Sequence, residues 1–97
     1  MNSGDPRSPA PYSVRLARVA TRYLERLDAP TRGRIAEQLR HIAADPFDPQ
    51  HSKPLEGGVP DRAARVGGFR IIFTVDRAAL EVQVSRIGPR GQVYRDL

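Results

Sequence analysis

One stretch of alternating residues, from Arg65 to Asp76, constrains the fold of this chain most strongly. Its large apolar side chains recur with a period of two, at Phe69, Ile71, Phe73 and Val75. A period of two places these side chains on one face of a β-strand. Arg70 consequently belongs to the opposite, mixed face of the strand, together with Ile72 and Thr74.

The residues on either side of this strand predict two more strands. Gly67-Gly68 favours a tight hairpin turn, because glycine reaches a positive φ without a Cβ clash, and the paired strand would be RAARV. Beyond a second turn-like break, apolar residues alternate again at Leu80, Val82 and Val84. Gly88-Pro89 is expected to stop this last strand. The second half of the chain therefore predicts a three-stranded antiparallel meander.

The first half of the chain predicts one strand followed by two helices. A short alternation, which would add a fourth strand to the meander, consists of Tyr12, Val14 and Leu16. From Ala17 or Arg18 to Asp28 the spacing becomes helical, with apolar residues at Val19, Ala20, Tyr23, Leu24 and Leu27. Asp28 would cap a second helix that ends at Pro46 and carries an apolar stripe of Ile35, Leu39 and Ile42.

Together these segments predict an α+β domain with the order β-α-α-β-β-β, in which a helical hairpin packs on an antiparallel four-stranded sheet. Residues 12–97 would form this domain, and residues 1–11, rich in proline and serine, a flexible tail. The proline-rich segment from Asp45 to Asp61 would be a long surface loop, and loops of this length are often functional. No apolar run of about 18 residues suggests a membrane span, so we expect a cytoplasmic protein.

Arginine dominates the charge of this chain. Fifteen of its sixteen basic residues are arginine, against eleven acidic residues, which gives a net charge of +5. From Arg62 onward seven arginines face three acidic residues, so +4 of that charge lies in the predicted meander. Since the planar guanidinium matches phosphate, this bias suggests a phosphate-bearing partner such as a nucleic acid. The alternative is an arginine-rich coding composition whose charges are simply solvated.

Cysteine and histidine offer little for catalysis or metal binding. The chain contains no cysteine, which removes disulfides, thiolate nucleophiles and cysteine-based zinc sites. His41 lies off the apolar stripe of the second helix and His51 lies in the proline-rich loop, so we expect both to be solvated rather than catalytic. We accordingly expect neither a metal nor another cofactor.

The predicted element order and three local strings resemble one protein family. KPLEG (Lys53 to Gly57), RVGGFRIIF (Arg65 to Phe73) and IGPRGQVYR (Ile87 to Arg95) are similar to motifs of the RelE/ParE superfamily of bacterial toxins, and within it of the RelE branch. The resemblance spans about residues 12 to 97. It implies a toxin of a type II toxin–antitoxin pair that enters the ribosomal A site and cleaves messenger RNA there.

The resemblance also implies roles for individual residues. Arg70 would stabilise the reacting phosphate, Arg90 would stabilise charge and protonate the leaving oxygen, and Tyr94 would orient or stack on the cleaved nucleotide. We expect five further basic residues to bind RNA, namely Lys53, Arg62, Arg65, Arg86 and Arg95. The structural alternatives are an Arg70 paired with Glu81 across the sheet, a solvated Arg90, and a Tyr94 that packs on the sheet edge.

Such a ribonuclease can work without a cysteine or a metal if the RNA 2′-hydroxyl attacks its own phosphate. The protein then has to position the substrate and stabilise the transition state. One departure from the family concerns proton transfer: well-known RelE-type enzymes carry lysines before the glycine turn, where this chain has Arg62 and Arg65. Arginine is a poor general base, and Pro89 stands where many relatives carry another basic residue, so the general base is not identified.

Two other functions are compatible with this sequence. The ParE branch shares the fold but poisons DNA gyrase without cutting RNA, and a basic module could block the ribosome without catalysis. In each toxin interpretation we expect an antitoxin with an acidic, amphipathic segment over the helices and part of the sheet. The candidate apolar contacts of that segment are Leu24, Leu27, Ile35 and Leu39.

Overall fold

A computed structural model describes residues 11–90 of the chain. Its elements are β1 (Ser13–Leu16), α1 (Arg18–Glu25), α2 (Ala29–Ala44), β2 (Lys53–Pro54), β3 (Arg62–Val66), β4 (Phe69–Asp76) and β5 (Glu81–Pro89). The predicted α+β class and the helical hairpin on a sheet are confirmed. Nearly all of the predicted tail, together with Tyr94 and Arg95, lies outside the described residues.

The sheet has five strands, in the order β1-β5-β4-β3-β2, and differs from the prediction in two respects. First, β1 pairs parallel to β5, because the alternation of a strand fixes its faces but not its direction. Such parallel pairing needs a long crossover between the two strands, which here includes both helices. Second, the two-residue strand Lys53–Pro54 pairs with β3. It is too short to show a period, and Pro54, without an N–H, suits an edge strand.

The two helices begin where expected, and α1 ends early. Its last turn tightens, since the Arg26 N–H donates to the Tyr23 carbonyl at 3.2 Å and the Leu27 N–H to the Leu24 carbonyl at 3.1 Å. Helix α2 is capped by Asp28, whose carboxylate accepts from the Thr31 N–H at 3.1 Å. Within residues 11–90 no helix is long and apolar enough to cross a membrane.

The core lies between the helices and one face of the sheet. Its fully buried side chains include Ile35 and Ile42 of α2, Ile71 and Phe73 of β4, and Val82 of β5. Half-buried Phe69 and Val75 pack against this core, so the predicted apolar face of β4 is confirmed. Val19 and Leu80 were expected on the apolar faces but are 47% and 49% exposed. Leu80 belongs to the turn before β5, with φ at +52°, and not to the strand.

A β-bulge in β5 decides which residues of that strand face the core. Ile72 pairs with Arg86 and Phe73 pairs with Val84, so Ser85 is an extra residue without a partner in the ladder. The Ser85 hydroxyl donates to the Ile72 carbonyl at 3.2 Å. Since a bulge shifts the alternation by one residue, Ile87 joins Val84 in the core and Arg86 faces away from it. The strand ends at Pro89, within the Gly88-Pro89 pair that was expected to stop it.

The turn before β5 offers a stabilising substitution. Leu80 adopts a positive φ of +52°, a conformation that costs a side chain with a Cβ roughly 1–2 kcal/mol and that asparagine tolerates better. We expect Leu80→Asn to raise the free energy of unfolding by about 0.5–1 kcal/mol, since Leu80 is also half exposed and contributes little burial. Urea denaturation measures the change. Leu80→Val is the control, because β-branching should lower stability at the same position.

The cap of α2 predicts a dependence of stability on pH. Hydrogen bonds from the Thr31 hydroxyl and N–H hold the pKa of Asp28 below its ordinary value of 3.8. A carboxylate whose folded pKa is lowered stabilises the fold above its unfolded pKa, and this stability is lost as the pH falls through the folded value. The gap in unfolding free energy between the parent and Asp28→Ala should therefore shrink below pH 3.8. A gap that stays constant to pH 2 in denaturation curves would contradict this assignment.

Candidate nucleic-acid interface

The face of the sheet that points away from the helices carries a row of basic residues. Arg65 on β3 pairs directly with Arg70 on β4. Ile72, two residues after Arg70 on β4, pairs with Arg86 on β5. Because paired residues share a face, these three arginines lie on the same side of three neighbouring strands. Lys53 extends the row, since it pairs with Ala63 on the same face of β3. We call this set of four residues the arginine face.

Two cations stand side by side at the centre of the arginine face. Directly opposed residues on antiparallel strands have Cβ atoms about 4.5–5.5 Å apart, and like charges there are destabilising. Arg70 is only 6% exposed, and its Nη1 donates to the Phe69 carbonyl at 3.1 Å. Within residues 11–90 no carboxylate forms an ion pair with Arg65 or Arg70. A buried charge without a counter-charge is costly, so an anionic ligand would stabilise this pair.

The alternative pairing of Arg70 with Glu81 does not occur. Glu81 lies opposite Asp76, at the other end of the β4–β5 hairpin from Arg70, which lies opposite Gly88. Glu81 instead forms an ion pair with Arg15 of β1, in which Arg15 Nε and Glu81 Oε2 are 3.3 Å apart. Arg70 is therefore not held in place by the acidic residue that the sequence offered.

A cleft of about 340 Å³ opens beside Arg65 and Arg70. Strand β2 covers only Arg62 and Ala63 of β3, so the rest of β3 has no neighbouring strand on that side, and there the Gln38 side chain of α2 donates to the Arg65 carbonyl at 2.9 Å. The cleft lies along that side of β3 and is lined by Gln38, Pro49, Gln50, His51, Ser52, Lys53, Ala63, Ala64, Arg65 and Arg70. Three of these residues are cationic and none is acidic, so the cleft suits an anion such as a phosphodiester.

Arg62 does not join the other predicted RNA-binding residues. It pairs with Phe73 of the core face, so it lies on the helix side of the sheet. Its guanidinium packs over the Phe47 ring, 5.2 Å from the centroid, and its Nε donates to the Ser52 hydroxyl at 3.0 Å. On the same ring, Arg77 lies 4.4 Å from the centroid. Arg62 thus anchors the loop that forms one wall of the cleft.

Arg90 lies at the same end of the sheet as Arg70. Its main-chain N–H donates to the Gly68 carbonyl at 2.8 Å, which ties the end of β5 to the hairpin turn between β3 and β4. The Arg90 side chain is exposed, and Arg70 pairs with Gly88 only two residues earlier. The structure therefore places Arg70 and Arg90 on neighbouring strands at one end of the sheet. Tyr94 and Arg95, the other predicted site residues near this end, lie outside the described residues.

The two histidines are stacked on each other, which the sequence did not suggest. Their ring centroids are 4.3 Å apart and their planes differ by 4°. His41 Nε2 lies 3.5 Å from a carboxylate oxygen of Glu37, and a hydrogen bond from Arg40 holds the pKa of that carboxyl below its usual range. His51 lines the cleft, whereas His41 does not. The ten-residue separation and the intervening proline-rich turn left no periodic signal for this pairing.

A helical hairpin on a five-stranded sheet, with cations along one sheet face, defines a small basic α+β protein. Solved structures with this fold include a chain of the RelBE2 toxin–antitoxin complex from Mycobacterium tuberculosis, at 25% identity and a TM-score of 0.73 over 84% of this chain and 100% of that chain. A chain of the archaeal RelE–RelB complex from Pyrococcus horikoshii shows 22% identity and a TM-score of 0.73, over 84% and 98%.

The isolated E. coli RelE toxin has a TM-score of 0.70 at 19% identity, over 88% of this chain and 93% of that chain. No sequence among the curated proteins matches the chain. The sequence model of the ParE toxin of type II toxin–antitoxin systems, parDE, matches residues 14–94. The chain therefore belongs to the ParE toxin family, within the RelE/ParE superfamily, and is a toxin of a type II toxin–antitoxin system.

Proposed function

We propose that this toxin is a ribosome-dependent endoribonuclease, which cleaves messenger RNA in the ribosomal A site and so inhibits translation and growth. One observation carries the proposal: Arg65 and Arg70 stand side by side on a sheet face, beside a cleft lined by cations and by no acidic residue. A nine-tenths buried arginine beside a second one is costly without an anion, which supports a phosphate as the ligand.

The reaction fits the chemistry of the arginine face. The RNA 2′-hydroxyl supplies the nucleophile, and the developing phosphorane is a dianion that guanidinium forks stabilise. Arg70 would bind the reacting phosphate from its preorganised, buried position, and Arg65, Lys53 and Arg86 would bind the neighbouring backbone. Arg90 would reach the leaving oxygen from the end of β5, and Tyr94 would stack on the nucleotide. Arg95 would add a further backbone contact, and Arg62 supports the site through the loop.

Programmed ribosomes test the proposal. The toxin is added to assembled complexes with a codon in the A site, and primer extension locates any cut. We expect cleavage within the A-site codon, a 2′,3′-cyclic phosphate on the upstream fragment and a 5′-hydroxyl on the downstream one. Downstream fragments that a 5′-phosphate-dependent exonuclease degrades without prior kinase treatment would rule out attack by the 2′-hydroxyl.

The second candidate function is inhibition of DNA gyrase, and the match of residues 14–94 to the ParE family favours it. The two candidates differ in their targets, so one pair of assays separates them. Gyrase-dependent DNA breaks with intact messenger RNA would establish the gyrase function. A stall of translation without cuts in either nucleic acid would identify a ribosome-binding module that does not catalyse.

A cognate antitoxin is the partner that we propose in each case, since RelBE2 is a toxin–antitoxin complex and the archaeal RelE was solved in complex with RelB. The net charge of +5 favours an acidic antitoxin segment. Of the four predicted apolar contacts, Ile35 is fully buried in the core and is therefore not available to a partner. Leu24, Leu27 and Leu39 are half-buried and remain candidates.

A further inference from the structure

His51 lines the same cleft as Arg65 and Arg70, and it differs chemically from every other residue of that lining. Arginine and lysine hold their protons at neutral pH, and amide and alkyl side chains do not exchange protons there. Imidazole is the side chain that gains and loses a proton between about pH 5 and 8. The cleft thus combines phosphate-binding cations with one group able to transfer a proton.

The position of His51 is fixed by its surroundings. One face of its ring is covered by the His41 ring, at 4.3 Å between centroids. Its main-chain N–H donates to the Asp48 carbonyl at 3.0 Å, and the next residue, Ser52, is buried and donates to the Pro46 carbonyl at 2.7 Å. Within residues 11–90 neither ring nitrogen of His51 has a hydrogen-bond partner, so the ring is not committed to another group of the protein.

We infer that His51 is the general base of the cleavage reaction. This inference rests on the proposed function and supplies the proton acceptor that Arg62 and Arg65 cannot provide. The ring of His51 stacks on His41, which in turn contacts Glu37 of α2, and the cleft that His51 lines also holds the cations Lys53, Arg65 and Arg70. The Glu37 carboxylate is engaged by Arg40 and His41.

The step balances without any further reactant. The 2′-oxygen forms a bond to phosphorus, the bond from phosphorus to the 5′-oxygen breaks, and His51 takes the proton that the 2′-hydroxyl loses. The departing 5′-oxygen takes a proton from water or from a group at the Arg90 end of the site. The imidazolium then returns its proton to solvent, so the protein is unchanged and the products are a cyclic phosphate and a 5′-hydroxyl.

Single-turnover cleavage of A-site messenger RNA, measured from pH 5.5 to 8.5, tests this role. For the parent we expect the rate to rise with pH and then level off, as general-base catalysis by an imidazole requires. His51→Gln should lower the rate by about 10²–10⁴-fold and remove that inflection. Added imidazole should restore part of the activity of His51→Ala. His41→Gln is the matched control, since it removes the stacked ring but leaves the cleft lining, and it should retain the inflection.

The outcomes separate the two proposals. A parent that leaves messenger RNA intact overturns the endoribonuclease function, and the role of His51 with it. A parent that cleaves while His51→Gln keeps its rate and pH profile overturns only the role of His51. A loss of activity that His41→Gln reproduces in full and that imidazole does not restore also overturns it, because it shows that the stacked pair is structural. Ribosome pelleting of each variant shows that binding is retained.

Discussion

Replacing Arg70 by alanine is expected to lower the rate of messenger RNA cleavage by about 10²–10³-fold, the usual effect of removing one preorganised donor to a developing charge. Arg70 is 6% exposed and its guanidinium is already held by the Phe69 carbonyl, so little reorganisation is needed when a phosphate binds. Arg70→Lys should recover only part of the loss, because lysine keeps the charge but not the two-pronged geometry. Single-turnover rates on programmed ribosomes measure both variants.

Two controls separate this effect from unfolding. Arg22→Ala removes an exposed arginine from α1, far from the arginine face, and should leave the cleavage rate within about twofold of the parent. Thermal unfolding of each variant shows whether it is folded at the assay temperature. Equal cleavage by the parent and a folded Arg70→Ala variant would remove Arg70 from the reaction.

The second large effect combines a gain in stability with a loss of function. Arg65→Glu converts the opposed pair Arg65 and Arg70 from like to opposite charge, which should raise the free energy of unfolding by about 0.2–1 kcal/mol. The new carboxylate also neutralises Arg70 and repels phosphate. A hydrogen bond to a charged group contributes about 1.5–3 kcal/mol, so RNA or ribosome binding should fall about 10- to 100-fold.

Urea denaturation and binding measured at several salt concentrations test the two halves of this expectation. The salt dependence of binding should also weaken, since fewer counterions are released when one phosphate contact is lost. Arg22→Glu carries the same change in charge on α1 and should alter neither property to a comparable extent. If Arg65→Glu destabilised the fold, the two arginines would not be in unfavourable contact in the free protein.

The alternation within the sequence was sufficient to predict most of this fold. The period of two in β4 placed Phe73 in the core and Arg70 on the other face, and Asp28 with Pro30 marked the start of α2. Strand direction was not predicted, because β1 has the same alternation whether it pairs parallel or antiparallel to β5. Leu80 continued the apparent alternation of β5, yet the turn requires it at a positive φ.

The candidate site was predicted in part. Arg65, Arg70, Arg86 and Lys53 do share one face, while Arg62, three residues before Arg65, falls on the opposite one. Two residues separated by an odd number of positions in a strand lie on opposite faces, so the placement of Arg62 could have been predicted from the sequence. The pairing of His41 with His51 was not, because it depends on how the turns at Asp45 and Asp48 fold the loop back against α2.

The bulge at Ser85 makes β5 unusually tolerant of a change in chain length. Removing one residue from a strand normally turns every following side chain to the other face of the sheet. Here Ser85 has no partner in the ladder, and its loss would restore regular alternation from Val84 through Arg86 to Ile87. A deletion at this one position during divergence would therefore leave Arg86 on the arginine face and Ile87 in the core.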